Sequence, residues 1–398
     1  MEKRYIYADN AATTAMSDSA INAMLPNLKE NFGNPSSLHT AGQLAKEALD
    51  AARATVAECI NAEPSEIYFT SGGSEADNQA IVSAAVNGEK KGKKHIISTA
   101  FEHHAVLHTL KKLEKAGFEV TYLNVHENGV INVDELKAAI KPETALVTVM
   151  FANNEIGTVQ PIEKIGEICR KAGVVFHTDA VQAAGHIPVD VVKQNVDMLS
   201  VSAHKFHGPK GVGFLYCRKG LLLNSLIEGG AQESRKRAGT ENIPAIAGMA
   251  QAFKDAVENM QADSEKLIKH RDNLIKGLLK IPHSKLNGDS KLRLPNNVNI
   301  SFEGIEGEGL LLHLDAKGIC ASSGSACTTA SLAPSHVLLA IGLPHEVAHG
   351  SLRLSIGTDL TADDVEYVIK SVEEVVAKLR DMSPMWEKLV KGEMQHFI

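Results

Sequence analysis

Between residues 66 and 216, short runs of β-branched and apolar residues alternate with longer stretches of helical periodicity. We predict strands, in chain order, over Glu66–Thr70, His95–Thr99, Glu119–Val125, Ala145–Phe151, Val174–Thr178 and Met198–Val201. We predict the intervening helices over Ser74–Val86, His103–Ala116 and Ile162–Ala172. This alternation is typical of crossover units, in which the strands run parallel. The chain is therefore predicted to have an α/β fold whose mostly parallel sheet is covered by helices on both faces.

A long helical stretch from Pro244 to Leu279 separates this region from a second, smaller α/β unit. The smaller unit is predicted to contain a strand, a helix, a strand and a helix, over Asn297–Phe302, Gly309–Ala316, Leu352–Ile356 and Ala362–Leu379. A chain of 398 residues is long enough for two domains. We predict a large domain over residues 16–260 and a small domain formed by residues 1–15 and 261–398.

The charge balance gives no reason to expect nucleic acid or an anionic membrane as a partner. Lys and Arg number 41 against 48 Asp and Glu, for a formal charge of −7. No apolar run approaches the roughly 20 residues of a membrane-spanning helix, and the first residues do not resemble a signal peptide. The five cysteines form an odd count without a C-x-x-C pair, which is typical of a reducing compartment. We therefore predict a cytoplasmic protein that binds neither nucleic acid nor membrane.

A glycine turn follows the first predicted strand of the sheet. Thr70 leads into residues 71–75 (Ser-Gly-Gly-Ser-Glu), where the next helix begins. Backbone N–H groups at a helix N-terminus attract phosphate. The turn matches neither the dinucleotide-binding fingerprint nor the P-loop. Because such turns are common between strand and helix, this segment alone leaves both a phosphate site and a plain connection open.

Two residues at neighbouring strand ends point to pyridoxal phosphate (PLP) chemistry. Asp179 follows the strand over Val174–Thr178, and Lys205 follows the strand over Met198–Val201 among small residues. A lysine amine forms the Schiff base with PLP, and a carboxylate keeps the ring nitrogen protonated. Singly, these residues are typical of a surface lysine and a helix cap. Together with the glycine turn they favour a PLP site. His103, at a helix start, can stack on the ring of PLP, but by itself it is more typical of a histidine in solvent.

The segment His345–His349 matches the zinc motif H-E-x-x-H, which requires a helix long enough to place both histidines on one face. Pro344 precedes the segment, Gly350 follows it, and a strand is predicted directly afterwards. We therefore predict no zinc site here and no resident metal elsewhere.

Cys327 lies in a run of small and hydroxylated residues from Ala321 to Ser331. Few bulky neighbours are available to bury such a segment, so it is expected to be exposed, where a thiolate can react. A cysteine of no function in a loop is the alternative. The other cysteines have apolar neighbours and are predicted to pack: Cys59, Cys169, Cys217 and Cys320.

Five segments match, in order along the chain, the motifs of one known family: Tyr7–Thr14, Asn34–His39, Asn153–Gly157, Ala203–Lys205 and the loop around Cys327. By these motifs the chain resembles the NifS/IscS-type cysteine desulfurases, class V aminotransferases with the fold of type I PLP enzymes. The resemblance runs from about residue 5 to about residue 390. It implies that the large domain binds PLP and that the small domain carries the catalytic cysteine loop.

The resemblance also implies roles for individual residues around PLP. Lys205 forms the Schiff base, Asp179 pairs with the ring nitrogen, and His103 stacks on the ring as a catalytic residue. Gln182 contacts the ring hydroxyl, and Asn154 also touches the cofactor. The phosphate is bound by four residues close to strand ends: Gly73, Ser74, Ser202 and His204.

The implied substrate is L-cysteine, bound by Asn154, Asn34 and Arg353. The Arg353 guanidinium is expected to bind the substrate carboxylate in a bidentate way. Cys327 is the implied nucleophile, which takes the substrate sulfur as a persulfide while L-alanine is released. Family members are homodimers, and Thr240 is expected to reach the PLP site from the second subunit. The sulfur then passes to an acceptor scaffold protein for iron–sulfur cluster or related biosynthesis. The one metal contact implied is a transient one between Cys327 and a nascent cluster.

Two alternatives stay open at this point. The first is a selenocysteine lyase, or another class V lyase or aminotransferase, that does not use Cys327. The second, from a different class, is a scaffold that has kept the fold and binds partners of a sulfur relay. The sequence leaves open the sulfur acceptor, the pathway served and the preference between sulfur and selenium.

Overall fold

The computed structural model describes residues 4–323 and 334–398 and has the predicted α/β architecture. Its strands, β1 to β12 in chain order, span Ile6–Tyr7, Ile67–Thr70, His95–Thr99, Glu119–Leu123, Thr144–Thr148, Val175–Asp179, Met198–Ser202, Gly213–Cys217, Ser284–Leu286, Asn297–Phe302, Ile319–Cys320 and Ser351–Ser355. Its helices, α1 to α13, span Asp18–Lys29, Thr40–Glu58, Gly73–Glu89, His104–Lys115, Val133–Ala139, Ile162–Ala172, Gln232–Arg235, Ile243–Leu278, Gly307–Ala316, His336–Ala340, His345–Ala348, Ala362–Asp381 and Pro384–Val390. Within the described ranges, no helix is both long and apolar enough to cross a bilayer.

A seven-stranded sheet in the order β2-β8-β7-β6-β5-β3-β4 forms the centre of the larger unit. Its strand pairs are parallel except for the two that involve β8, which is antiparallel to both β2 and β7. Strands β3, β5 and β7 are buried along their whole length. Burial on both faces explains their nearly continuous apolar and β-branched sequences. The prediction of a mostly parallel sheet is confirmed.

Strands β2, β6 and β7 run in the same direction, so their carboxyl ends lie at one edge of the sheet. Asp179 ends β6 directly beside Ser200 of β7. Strand β2 ends at Thr70, before the glycine turn into α3, and β7 continues into a 3₁₀ turn over Ala203–Lys205. Ligands of open α/β sheets bind beyond this edge.

Some predicted boundaries differ from the structure for local reasons. The strand predicted over Ala145–Phe151 ends at Thr148. The chain turns shortly afterwards, and Asn153 Oδ1 accepts the backbone N–H groups of Glu155 and Ile156 at 2.8 and 3.0 Å. Helices α1 and α2 lie outside the predicted elements. The buried face of α2 is built largely of alanine and glycine, whose apolar periodicity is weak.

The smaller unit surrounds a three-stranded antiparallel sheet in the order β12-β10-β9, beside the parallel pair β1-β11. Its hydrophobic core is separate from the core clusters of the large sheet. Helix α8 contributes to both units, with Phe253 in one core and Leu274 in the other. Ile6 of β1 packs in the small core. The division of the chain near residue 260 stays a prediction.

The H-E-x-x-H segment forms one short helix. Helix α11 spans His345–Ala348, so His349 lies beyond its last residue. Strand β12 begins at Ser351. Helix α11 is therefore a single turn and not the long helix that the zinc motif requires.

Candidate active site

The glycine turn between β2 and α3 is closely packed at the start of the helix. Gly72 has a φ of +148°, and Gly73 is the first residue of α3. A Cβ on Gly73 would lie 2.6 Å from Val181 Cγ2 and 3.6 Å from Ser202 Cβ, so a side chain has no room at this position. Ser74 is exposed in the same first turn. A helix N-terminus without side chains in front of it suits a phosphate group.

Lys205 ends the 3₁₀ turn after β7, and its amine faces the N-terminal segment of the chain. Its Nζ donates to the backbone oxygens of Ala11 and Ala12, at 2.7 and 2.8 Å. Gln182 Nε2 donates to the same Ala11 oxygen at 3.0 Å. This shared carbonyl brings two of the predicted site residues, Lys205 and Gln182, together.

Asp179 and His103 also lie close together. His103 caps the N-terminus of α4, where its Nδ1 accepts the Ala105 N–H at 3.1 Å. One oxygen of Asp179, one ring nitrogen of His103 and one oxygen of Asp77 lie within 4.8 Å of one another. Burial raises the pKa of Asp179, whereas His103 and the N–H of Val181, which donates to Asp179 Oδ1 at 2.9 Å, lower it.

His204 lies beside the catalytic lysine candidate and is a neutral group at pH 7. Its Nδ1 lies 3.1 Å from Thr13 Oγ1. Burial lowers the pKa of His204 to about 4, and the nearby ammonium groups of Lys205 and Lys210 act in the same direction. The ring can therefore form a hydrogen bond with a phosphate, but it adds no positive charge to the site.

Arg353 is a buried arginine of β12, with only 3% of its surface exposed. Its Nη2 donates to Asp9 Oδ1 at 2.8 Å, and its Nη1 donates to the backbone oxygen of Asn154 at 3.2 Å. Its Nε has no hydrogen-bond partner among the residues that the structure describes. The structure thus brings the two predicted substrate residues Arg353 and Asn154 together and leaves guanidinium donor capacity unused.

Residues 6–368 match the family model described as aminotransferase class V. The chain belongs to the class V aminotransferase family. A relative named cysteine desulfurase IscS, from Methanosarcina thermophila, is 55% identical over 387 residues, which cover 97% of this chain and 96% of that protein. A second relative of the same name, from Clostridium botulinum strain Hall, is 54% identical over 393 residues, which cover 98% and 99% of the two chains.

Two solved structures have the same fold as this chain. One titled NifS-like protein has a TM-score of 0.89 at 39% identity, and the match covers 94% of this chain and 100% of that chain. Another, titled SspA in complex with cysteine, has a TM-score of 0.79 at 37% identity, with 89% and 99% of the two chains covered. The predicted family and fold class are confirmed.

Class V aminotransferases depend on PLP, and the geometry of this chain fits that cofactor. The helix N-terminus at Gly73, a position that carries no side chain and has no room for one, suits the phosphate. Asp179 is a buried carboxyl, 5% exposed, at a strand end, where a cationic ring nitrogen would stabilise its charge. The Lys205 amine lies at the next strand end.

Three predicted residues are not joined to this group. Asn34 and Thr240 are exposed, and Asn34 Oδ1 accepts the N–H of Ser36 at 2.9 Å within its own turn. In the described ranges, no hydrogen bond links either residue to the site. Cys327 lies outside the described residues. The roles of these three residues stay predictions.

Three buried carboxyl groups near the site were not singled out by the sequence: Asp77, Glu102 and Glu155. Burial raises the pKa of Glu102 to about 8 and that of Glu155 to about 7. Thr99 Oγ1 donates to Glu102 Oε1 at 2.6 Å, and the Ser335 hydroxyl donates to Glu155. One usable signal was the position of Asp77, four residues after Gly73, which places both on one face of α3.

Proposed function

We propose that this class V aminotransferase is a PLP-dependent cysteine desulfurase, which converts L-cysteine to L-alanine and leaves a persulfide on Cys327. The observation that carries the proposal is that the Gly73 turn, Asp179 and Lys205 lie at three strand ends on one edge of the sheet. Relatives named cysteine desulfurase, at 54–55% identity over nearly the whole chain, support this activity. The relative whose title names a complex with cysteine supports the substrate.

In this proposal PLP is held by residues at these strand ends. Asp179 pairs with the ring nitrogen, Gln182 bonds the ring hydroxyl, His103 stacks on the ring, and Asn154 touches the cofactor. The phosphate lies against four residues that include the glycine turn: Gly73, Ser74, Ser202 and His204. When bound, PLP withdraws electrons from the α-carbon of the substrate through its protonated ring nitrogen.

Lys205 Nζ is the group that we assign to hold the cofactor and to move the substrate proton. The carbonyl oxygens of Ala11 and Ala12 accept its N–H groups, which orients the amine. A neutral amine fixed in this way can take a proton from the substrate α-carbon and return it to the product.

The Arg353 guanidinium is assigned to the substrate carboxylate, with Asn154 and Asn34 beside the substrate. Arg353 is held on one side by Asp9 Oδ1, at 2.8 Å. Its unpartnered Nε leaves a donor for the carboxylate of the amino acid. A planar guanidinium matches a carboxylate with two parallel hydrogen bonds.

Cys327 is assigned as the nucleophile. Its thiolate attacks the substrate sulfur, an S–S bond forms as the C–S bond breaks, and the electron pair of the C–S bond stays with the carbon skeleton, which is protonated to alanine. Burial raises the pKa of three other cysteines to about 12, so their thiolate fractions are negligible at pH 7: Cys59, Cys169 and Cys217.

Replacement of Cys327 by Ala tests the persulfide step. We expect Cys327→Ala to bind PLP but to lose at least about 100-fold in alanine formation from cysteine, since no other assigned group accepts the sulfur. Cys320→Ala is the matched control, because Cys320 is a partly exposed cysteine seven residues upstream. Unchanged alanine formation in Cys327→Ala would refute the persulfide step and favour a lyase that does not use this cysteine.

We also propose a cytoplasmic homodimer that passes its sulfur to an acceptor scaffold protein for iron–sulfur cluster or related biosynthesis. The four described cysteines are unbridged, which supports a reducing compartment. Helix α1 supports the dimer, because Ile21, Leu25 and Leu28 form an exposed apolar stripe on one face. In such a dimer Thr240, which is exposed, contacts the PLP of the second subunit.

A further inference from the structure

Asp77 is a buried carboxyl group that the proposed mechanism does not use. It lies in the second turn of α3 and is only 1% exposed. Its Oδ1 has no hydrogen-bond partner among the described residues. An ionised carboxylate in such a place is costly, because burial removes its hydration and one of its oxygens has no partner in place of water.

The polar groups of β6 and β7 beside Asp77 supply hydrogen bonds but no positive charge. The Ser200 hydroxyl bonds the Asp77 carboxyl and lies 2.9 Å from His177 Nε2. His177 Nδ1 in turn lies 2.8 Å from Thr148 Oγ1. Burial lowers the pKa of His177 to about 3, so the ring is neutral at pH 7 although its Nε2 is 3.7 Å from Asp77 Oδ1. The other nearby acid, Glu102, acts against ionisation of Asp77.

Asp77 and Asp179 compete for one negative charge, because they lie within 4.8 Å of each other in a buried cluster. Asp179 accepts the N–H of Val181, and the charges of His103 and Lys205 favour its ionised form. Asp77 accepts no backbone N–H among the described residues, and the one cationic group in its cluster, His103, is shared with Asp179. Burial and the Asp179 charge therefore raise the pKa of Asp77 well above its usual range.

We propose that Asp77 is a positioning residue that holds the proton of this carboxyl pair and so keeps its single charge on Asp179. The inference rests on the proposed function, in which Asp179 faces the ring nitrogen of PLP. A neutral Asp77 adds no second charge beside Asp179, and its own position is fixed by the Ser200 and His177 hydrogen bonds. Asp77 acts through Asp179 and is not itself a catalytic residue.

The pH dependence of stability tests the protonation of Asp77 in the full chain without added PLP. A buried acid whose pKa exceeds the unfolded value of about 3.9 binds more protons in the folded state, so it lowers stability progressively as the pH rises above that value. The isosteric variant Asp77→Asn cannot ionise. We expect its Tm, relative to wild type, to rise by at least about 2 °C between pH 5 and pH 9. Parallel Tm profiles of the two proteins would overturn the proposal.

Asp197→Asn is the matched control, since Asp197 is a buried aspartate that pairs with Arg218 Nε at 2.6 Å. This variant loses an ion pair and is expected to have a lower Tm than wild type at pH 9 as well as at pH 5. If the Tm of Asp197→Asn relative to wild type rose between pH 5 and pH 9 as much as that of Asp77→Asn, the effect would belong to any buried aspartate. That result would overturn the proposal.

The affinity for PLP, followed by its visible absorbance on titration, separates positioning from packing. If a neutral polar group is what Asp77 supplies, Asp77→Ala must weaken PLP binding at least about threefold more than Asp77→Asn does. Equal losses in the two variants would mean that a charge is required and would overturn the proposal. Failure of wild type to bind PLP would instead refute the proposed function, and the Tm comparison would still decide the protonation of Asp77.

Discussion

Arg353 is the residue whose surroundings make the sharpest prediction about substrate binding. Its guanidinium is buried, Asp9 holds Nη2, and Nε has no partner within the described part of the chain. A lysine side chain ends in a single ammonium group without the planar geometry of a guanidinium. It therefore cannot bind Asp9 and a substrate carboxylate side by side. We expect Arg353→Lys to raise the KM for cysteine roughly 10- to 100-fold, because a hydrogen bond between charged groups is lost. Steady-state kinetics of the PLP-loaded enzyme measure this change.

Arg4→Lys is the control for this substitution, since Arg4 is an exposed arginine that pairs with Asp364 at the surface. Its KM is expected to stay at the wild-type value. A KM for Arg353→Lys within twofold of wild type would exclude Arg353 from carboxylate binding.

At the residue scale, position along a strand predicted more of the candidate site than residue type did. Asp179 and Lys205 follow predicted strands, and the structure confirms both positions at one sheet edge. Arg353 was assigned through the family resemblance alone, because nothing local distinguishes an arginine in a buried strand. Asp77 and Glu102 were missed, since the burial of a polar side chain depends on contacts between distant elements.

Helix α3 makes a prediction about the phosphate, because it begins at Gly73 with no room for a side chain. The Cβ of an alanine there would lie 2.6 Å from Val181 Cγ2, closer than non-bonded atoms allow. We expect Gly73→Ala to weaken PLP binding at least about 10-fold, because relief of this clash must displace Val181 or the helix N-terminus that is assigned to the phosphate. Titration of the visible absorbance of PLP measures the affinity.

Gly309→Ala is the matched control in another helix, α9. A Cβ on Gly309 would lie no closer than 3.5 Å to any neighbouring atom, so this alanine fits. Its PLP affinity is expected to equal that of wild type. Unchanged PLP affinity in a folded Gly73→Ala variant would show that the phosphate does not bind at this turn.

At the element scale, the sequence predicted the helices and strands with strong periodicity and missed those that distant contacts impose. Helix α6 and strand β3 begin and end as predicted. In α7, Glu233, Ser234 and Arg235 all have positive φ values, of 44°, 56° and 65°. This strained turn is held by the Glu233 carboxylate, which bonds Arg53 at 2.7 Å. A contact between residues so far apart leaves no local signal in the sequence.

For the whole molecule, the fold class followed from the alternation of strands and helices, whereas the order of strands did not. The antiparallel strand β8 lies between β2 and β7, and no sequence period distinguishes an antiparallel strand that is buried on both faces. Association with a second chain is also a property of the whole molecule. Helix α1 bears on it, because apolar residues on one face of α1 are exposed.

The exposed stripe of α1 predicts a dimer, which a shared active site would require. Ile21, Leu25 and Leu28 are 39%, 44% and 56% exposed, at the i, i+4, i+7 spacing of one helix face. We expect wild type to have twice the 42.7 kDa mass of one chain by light scattering, and Leu25→Glu to shift toward the single-chain mass, since a buried unpaired charge opposes association. The control is Leu312→Glu, at an exposed leucine of α9, 67% exposed, which should leave the mass unchanged.

If Thr240 completes the site of the second subunit, Leu25→Glu must lower the PLP affinity as well as the mass in solution. Thr240→Ala separates the two effects, because it removes the hydroxyl at an exposed position without touching α1. We expect Thr240→Ala to keep the mass of a dimer and to bind PLP roughly 10-fold more weakly, the effect of one hydrogen bond to a charged phosphate. A Leu25→Glu monomer with wild-type PLP affinity would show that each chain completes its own site.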